Sequence, residues 1–183
     1  MKMDAKFTRG LAPDAVKALV AYQRWMNGRV YGRCAALTDA ERKADRGAFF
    51  RSIHGTLNHL LYGDLNWFGR FADGRSRAED RRVTLHERFE DMRDARVALD
   101  AEMKLWAEGL SQAWLDAPFD YRSSNGDARR YPAWMLVLHM FNHQTHHRGQ
   151  LTTLMTQAGL DVGDTDLPLV PELDEIAPGA IIR

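Results

Sequence analysis

The sequence is poor in cysteine, and this scarcity excludes several kinds of site. Cys34 is the only cysteine among 183 residues, so no disulfide can form within the chain. A zinc site built from several thiolates is excluded for the same reason, and any metal site must use histidine and carboxylate ligands. A single thiol also favours a reducing compartment, and we expect the protein to be cytoplasmic.

Long apolar runs and an excess of one charge are also absent. No stretch of about 18 consecutive apolar residues occurs, and no apolar segment follows a basic start at the N-terminus. We therefore expect neither a membrane span nor contact with a membrane. Lysine plus arginine and aspartate plus glutamate number 25 each, so the formal net charge is zero. A chain with this balance has no overall field that would attract nucleic acid.

What the chain does contain is a regular helical pattern. No linker, repeat or low-complexity segment divides it, and we expect one domain over residues 1–183. Apolar residues recur at helical spacing in four segments, which predicts four long helices. The first predicted helix begins near Pro13 and ends before Thr38, and the second runs from Arg46 to Phe71.

The third predicted helix has the clearest start signal. Thr84 is followed three residues later by Glu87, which is the pattern of a capping box. The apolar spacing then continues to Leu110. The fourth predicted helix covers residues 132–158, with Gly159 as its C-terminal cap.

The connection between the third and fourth predicted helices has a different pattern. Residues 119–122 and 128–131 flank Asn125 and Gly126, a dipeptide favoured in tight hairpin turns. This pattern predicts a short β-hairpin within a long third connection. The tail from Val162 is rich in proline and is expected to pack as an extended arm. The predicted fold is an all-α four-helix bundle.

The fourth predicted helix carries the densest group of chemically active residues. His143 and His147 are four residues apart, so they share one helix face and can both reach one divalent metal ion. His146 points about 100° away from both and is interpreted as a core residue or as a support for a ligand. His139 lies about 12 Å from His147 along the axis, too far for both to bind one ion through bonds of about 2 Å.

A third ligand must therefore come from another helix, and His54 and His59 are the candidates. They are five residues apart and point about 140° away from each other, so only one can face the site. Gly55 and Gly63 lie one turn either side of His59, although glycine costs a helix interior about 1 kcal/mol relative to alanine. Close packing of another helix would explain these glycines, and so would a small cavity above the imidazole. We favour His59.

Three other polar residues lie near this site in helical register. Asp64 fits three roles: acceptor for a ligand imidazole, partner of Arg148, or ordinary surface acid. Arg148 fits two roles, as a binder of an anionic substrate or thiol carboxylate, or as one side of a surface salt bridge. Gln150 is close enough to take part, but an amide cannot act as a base. The catalytic residues are therefore unknown at this stage.

Three segments of the chain resemble the DinB family, the damage-inducible or DinB/YfiT-like metalloproteins. They are Ala21–Asn27, Ser52–Leu61 extended through Asp64 and Trp67, and His143–Gln150, and the tail piece Thr165–Pro168 is also similar. The resemblance implies a bundle in which one histidine of the second predicted helix and two of the fourth bind a divalent metal. Carried over to this chain, these ligands are His59, His143 and His147.

The resemblance also implies zinc or nickel as the metal and a homodimer as the assembly. Related branches are transferases or isomerases that use low-molecular-weight thiols such as mycothiol, bacillithiol or glutathione. We therefore expect a metal-dependent enzyme that activates a small thiol, or water for hydrolysis, towards a small-molecule substrate. Three imidazoles leave a coordination position open, as catalytic zinc sites do.

Two alternatives remain at the level of the sequence. The chain could be a non-enzymatic metal-binding stress protein or a dimeric scaffold with a structural metal, and a closed site without a pocket would favour this. The histidines could also satisfy core hydrogen bonds alone. A funnel above the metal, lined by Trp25, Trp67 or Tyr22, would favour the enzyme.

Overall fold

The computed structural model describes residues 10–78, 84–123 and 125–178. The long helices are α1 (Pro13–Cys34), α3 (Ile53–Asp73), α4 (Phe89–Glu108) and α6 (Ala133–Gln157). The short helices are α2 (Asp39–Lys43), α5 (Gln112–Asp116) and α7 (Leu173–Ile176), and a 3-10 turn covers Leu167–Leu169. Strands β1 (Pro118–Arg122) and β2 (Ala128–Pro132) pair antiparallel between α5 and α6.

The four long helices form a bundle, which confirms the predicted fold class. Helix α1 packs against α4 and α6, and α3 packs against the same two helices. Apolar residues at spacings of three and four along each helix point inward, and they form one continuous core. None of the helices in the described ranges combines the length and the apolar character that crossing a bilayer requires.

Helix α3 begins seven residues later than predicted, at Ile53 rather than at Arg46. The Ser52 side chain caps it by accepting a hydrogen bond from the Gly55 N–H at 3.0 Å. Residues 46–51 form a turn instead, closed by the Arg46 N–H donating to the Arg51 carbonyl at 2.7 Å. Arg51 has a φ of 66°, in the left-handed region that a right-handed helix does not use.

The predicted start of the third long helix at Thr84 is wrong, because α4 begins at Phe89. Side chains of helix α3 bind backbone groups of the segment that precedes α4. The His86 N–H donates to Asn58 Oδ1 at 3.0 Å, and the His86 carbonyl lies 2.9 Å from His54 Nε2. A segment whose N–H and carbonyl groups are bound by another helix cannot use them in its own first turn.

The capping box that does form lies at the start of α2, a helix that the sequence analysis did not predict. The Glu41 N–H donates to Thr38 Oγ1 at 3.3 Å, and the Thr38 N–H donates to Glu41 Oε2 at 2.7 Å. Both halves of the motif are therefore formed. Since α2 has only five residues, its apolar spacing is too short to be recognised.

The hairpin prediction is confirmed, although the strands are joined by residues 123–127 rather than by a two-residue turn. The prediction of an extended tail is wrong in part, because the tail contains the 3-10 turn and α7. Helix α1 holds the tail through the Tyr22 hydroxyl, which donates to the Thr165 carbonyl at 2.8 Å. The expected domain, residues 1–183, extends beyond the described residues at both ends.

Candidate metal centre

Two neighbouring helices bring three imidazole rings together. His59 lies on α3, and His143 and His147 lie one turn apart on α6, which packs against α3. The Nε2 atom of His59 is 3.2 Å from the Nε2 atoms of both His143 and His147. Two nitrogen ligands at 2.0–2.1 Å from a tetrahedral ion are separated by about 3.3 Å. Two of the three separations therefore match those of ligands of one ion, and the ligand atoms of all three residues lie within 4.8 Å of one another.

The proton positions also suit metal binding better than hydrogen bonding alone. His147 Nδ1 lies 2.8 Å from Gln150 Oε1, which can only accept a hydrogen bond, so Nδ1 carries the proton. His147 Nε2 then has a free lone pair directed at His59 Nε2. A neutral imidazole has one N–H, so a single proton on His59 Nε2 cannot serve both facing nitrogens fully. A cation shared by the lone pairs satisfies all three rings.

Burial keeps two of these rings neutral. Loss of solvation, together with the smaller effect of the neighbouring His147, lowers the pKa of His143 to about 4. Loss of solvation also lowers the pKa of His147, against the opposite effect of its hydrogen bond to Gln150. Both rings are therefore uncharged at neutral pH, which is the form of histidine that binds a metal.

The two glycines that bracket His59 serve close packing. A Cβ atom on Gly63 would lie 2.9 Å from Cε1 of His143, so the absence of a side chain gives that ring its place. A Cβ atom on Gly55 would lie 2.2 Å from the carbonyl oxygen of Phe50. The cavity interpretation is wrong, because the two spaces are occupied by the His143 ring and by the turn before α3.

That turn places an aromatic side chain over the site, which no pattern in the sequence predicted. The Phe50 ring stacks on the His59 ring with centroids 3.8 Å apart and meets the His147 ring edge-on at 5.3 Å. Phe49 packs edge-on against Phe50 and is itself 85% exposed. Phe50 thus covers one side of the site.

Asp64 is not a surface residue, so that interpretation is wrong. Its carboxylate is fully buried and accepts hydrogen bonds from Gln23 Nε2 at 2.6 Å and from Arg96 Nη1 at 2.5 Å. These described bonds do not involve an imidazole, whereas Arg148 acts on Asp64 electrostatically. Burial raises the pKa of Asp64 to about 6, against the lowering effect of Arg96.

Arg148 is also in the interior, which excludes a surface salt bridge. Only 5% of it is exposed, and its guanidinium lies 5.2 Å from the centre of the Tyr22 ring. Burial lowers its pKa. Without access to solvent, Arg148 cannot bind an anionic substrate. Tyr22 packs against Arg148 within the bundle and does not line a funnel above the site.

The remaining histidines lie outside the cluster. His146 is exposed, so the interpretation as a core residue is wrong. Its Nε2 lies 3.4 Å from Gln150 Nε2, so it supports His147 only indirectly, through Gln150. His54 is buried and directed at the His86 carbonyl. His139 is exposed and contacts Trp67, with ring centroids 4.9 Å apart. Within the described ranges, the group of residues able to hold a metal consists of the three converging histidines.

Comparison with known proteins agrees with this geometry. The sequence model of the DinB family matches residues 8–179. The chain is 27% identical over 162 residues to Protein DinB of Bacillus subtilis (strain 168), covering 85% of this chain and 93% of that protein. It is also 39% identical over 57 residues to the uncharacterized protein YrdA of the same organism, covering 31% of this chain and 34% of that protein.

Proposed function

Since this chain belongs to the DinB family, we propose that it binds one divalent metal ion, zinc or nickel, through His59, His143 and His147. The observation that carries the proposal is the distance of 3.2 Å between the Nε2 atoms of the facing rings. Imidazole nitrogen is a preferred ligand of both metals. Gln150 holds His147 in the tautomer that leaves Nε2 free.

The proposed activity is transfer of a small thiol to a small-molecule substrate. A divalent ion held in this site would lower the pKa of a bound thiol or water and so supply a nucleophile. Three neutral imidazoles leave the positive charge of the site uncompensated, which favours an anion in the open position. A free thiol has a pKa of about 8.5 and water one of 15.7, so a thiolate forms more easily than hydroxide.

Phe50 supports this choice between thiol and water. Its ring lies on His59 and beside His147, and it lowers the polarity of one side of the site. A polarizable sulfur tolerates aromatic neighbours well. Hydrolysis by water is the second candidate activity, because the same open position would accept water. A structural metal without activity is the competing function, and the family's homodimer remains a prediction.

Metal binding is tested by elemental analysis of untagged protein. We expect about one zinc or nickel per chain, and loss of that metal in the His143→Ala variant, because two ligands do not close the site. His139→Ala is the matched control, since His139 lies one turn away on the same face of α6. Full metal content in His143→Ala would overturn the assignment of the site.

Activity is tested by a screen of conjugation between electrophiles and glutathione, mycothiol or bacillithiol, each with zinc-loaded and nickel-loaded protein. Turnover that requires the metal and is lost in His143→Ala supports the transferase. If no thiol reacts with either metal while the metal stays bound, the transferase proposal fails and the structural role is favoured.

A further inference from the structure

We propose that a surface strip running from the metal histidines to the β-hairpin binds the carboxylate-bearing end of the substrate, and that Arg70 is its anion-binding residue. Calling this ligand the substrate rests on the function proposed above. The binding site itself depends only on residues of α3, α6 and the hairpin, so it can be tested without metal.

The strip is a continuous series of aromatic rings. His139 lies next to the ligand His143, with ring centroids 6.4 Å apart, and Trp67 meets His139 at 4.9 Å. The Trp67 ring is edge-on to the Tyr121 ring of β1, with centroids 5.2 Å apart, and the Tyr121 and Tyr131 rings have centroids 6.5 Å apart. These separations are those of interacting rings. A ligand that lies along this strip can therefore contact aromatic side chains from His143 to the hairpin.

This surface is apolar and accessible to solvent. Tyr131 is 40% exposed, Met135 is 37% exposed and Leu138 is 44% exposed, and the latter two lie on α6 within one turn of His139. Contiguous exposed apolar side chains beside a polar site are characteristic of ligand grooves. The hairpin in the long connection thus forms the far end of a partly exposed aromatic surface that begins at the metal histidines.

Arg70 supplies the charge in this strip. Its guanidinium carbon lies 5.1 Å from the centre of the Trp67 ring and 5.7 Å from that of Tyr121. Nη1 donates to Asn66 Oδ1 at 2.5 Å, and Nη2 donates to the Arg122 carbonyl at 3.2 Å. In the described part of the chain the hydrogen bonds of Arg70 go to Asn66 and to the Arg122 carbonyl rather than to a carboxylate, and burial lowers its pKa. A partly desolvated cation of this kind favours binding of an anion.

The hydrogen bonds of Arg70 leave one edge of the guanidinium available. Nη1 donates to the Asn66 carbonyl and to its Oδ1, so the free donors are the Nε–H and the second Nη2–H. An Nε–H and an Nη2–H on one edge of a guanidinium match the two oxygens of a carboxylate. In this protein Arg130 uses the same edge to bind Asp120, with Nε at 2.6 Å and Nη2 at 2.7 Å from the two oxygens.

The separation of Arg70 from the metal ligands sets the size of the ligand. Arg70 follows His59 by eleven residues of α3, which is about 16 Å along the helix axis. A metal–sulfur bond of about 2.3 Å and a hydrogen bond of about 2.8 Å take up part of this length. The remaining 11 Å, roughly, is the length of three extended residues. The strip therefore fits a ligand whose metal-binding atom and carboxylate are separated by roughly this length.

The binding test uses metal-free protein and a matched pair of probes, 2-naphthoate and the neutral 2-naphthamide. Arginine Nε–H and tryptophan indole resonances are followed by NMR during titration. We expect 2-naphthoate to shift the Arg70 and Trp67 resonances and to bind at least ten-fold more tightly than the amide. In Arg70→Gln this preference should disappear. In Arg93→Gln, an exposed arginine of α4, it should persist.

Arg70→Lys is the second variant in case Arg70→Gln fails to fold, because it keeps the charge and removes the paired N–H edge. It should lose most of the preference for the acid. Equal binding of acid and amide, or an unchanged preference in either variant, would overturn the proposal.

A second measurement separates this inference from the proposed function. Metal-loaded protein is assayed with glutathione and with its glycyl ethyl ester, and the ester is expected to have a KM at least ten-fold higher. Turnover with equal KM values would overturn the inference and leave the transferase standing. Carboxylate binding at Arg70 in a protein without turnover would support the anion site and contradict the proposed transferase activity.

Discussion

One absent methyl group determines where the His143 ring lies. The position of a Cβ atom on Gly63 would be 2.9 Å from Cε1 and 3.1 Å from Nδ1 of that ring. We predict that Gly63→Ala displaces the ring and weakens zinc binding by at least ten-fold, since ligand geometry must hold within a few tenths of an ångström. Competition with a zinc chelator of known affinity measures this loss.

Gly28→Ala is the control for that substitution. Gly28 lies inside α1, and a Cβ atom there would have no neighbour within 4 Å. It should leave zinc affinity unchanged and raise the free energy of unfolding by about 1 kcal/mol, because alanine favours the helix. Equal zinc affinity in Gly63→Ala and the wild type would show that His143 does not need this space.

The sequence predicted the converging histidines but not the buried charges. Helical periodicity predicted that His143 and His147 share a face, because the faces of a helix are local properties of the sequence. The choice of His59 over His54 rested on its two glycines and on the family resemblance. The partners of Asp64 are Gln23 and Arg96, which are 41 and 32 residues away along the chain. No local pattern indicates such contacts. Asp64 and Arg148 were therefore placed near the metal on register alone, and both belong to the interior.

At the level of elements, two identical motifs have different outcomes. Thr38–Glu41 and Thr84–Glu87 both read as capping boxes, but only the first one caps a helix. We predict that Thr38→Ala lowers the free energy of unfolding by about 1 kcal/mol. Thr84→Ala should change it by less than about 0.5 kcal/mol, as exposed substitutions usually do. Urea denaturation of the two variants makes the comparison, and equal losses would contradict the assigned start of α4.

The sequence predicted that the four long helices exist, but it did not predict where α3 and α4 begin, and the difference has a physical reason. The long apolar stripes of α1, α3, α4 and α6 report burial, which periodicity detects directly. The starts of α3 and α4 depend on tertiary contacts. Asn58 binds the backbone of His86, and Gly55 admits the carbonyl of Phe50. The same turn that delays α3 also brings Phe50 onto His59, so this part of the site was not predictable either.

At the scale of the whole molecule, the bundle encloses ionisable groups whose pKa shifts oppose each other. Burial raises the pKa of Asp64 to about 6, above its value in an unfolded chain. Its contribution to stability is therefore complete below about pH 4 and is lost as the pH rises through 6. Burial lowers the pKa of His143 to about 4, so its contribution is complete above about pH 6.5 and is lost as the pH falls towards 4.

We predict that substitutions of these two groups tilt the pH profile in opposite directions. In metal-free Asp64→Asn, the free energy of unfolding should rise more steeply between pH 4 and 6 than in the wild type, by roughly 3 kcal/mol over two pKa units. In metal-free His143→Gln it should rise less steeply. Urea denaturation at several pH values measures both slopes. Profiles parallel to that of the wild type would contradict the assigned burial of these groups.

The central claim is a metal held by three histidines with one position open. X-ray absorption of untagged, zinc-loaded protein tests it most directly. The account predicts three imidazole nitrogens at about 2.0–2.1 Å and one further light atom, replaced by a sulfur at about 2.3 Å when a thiol is added. A fourth imidazole, or a shell that does not change with any thiol, would contradict it.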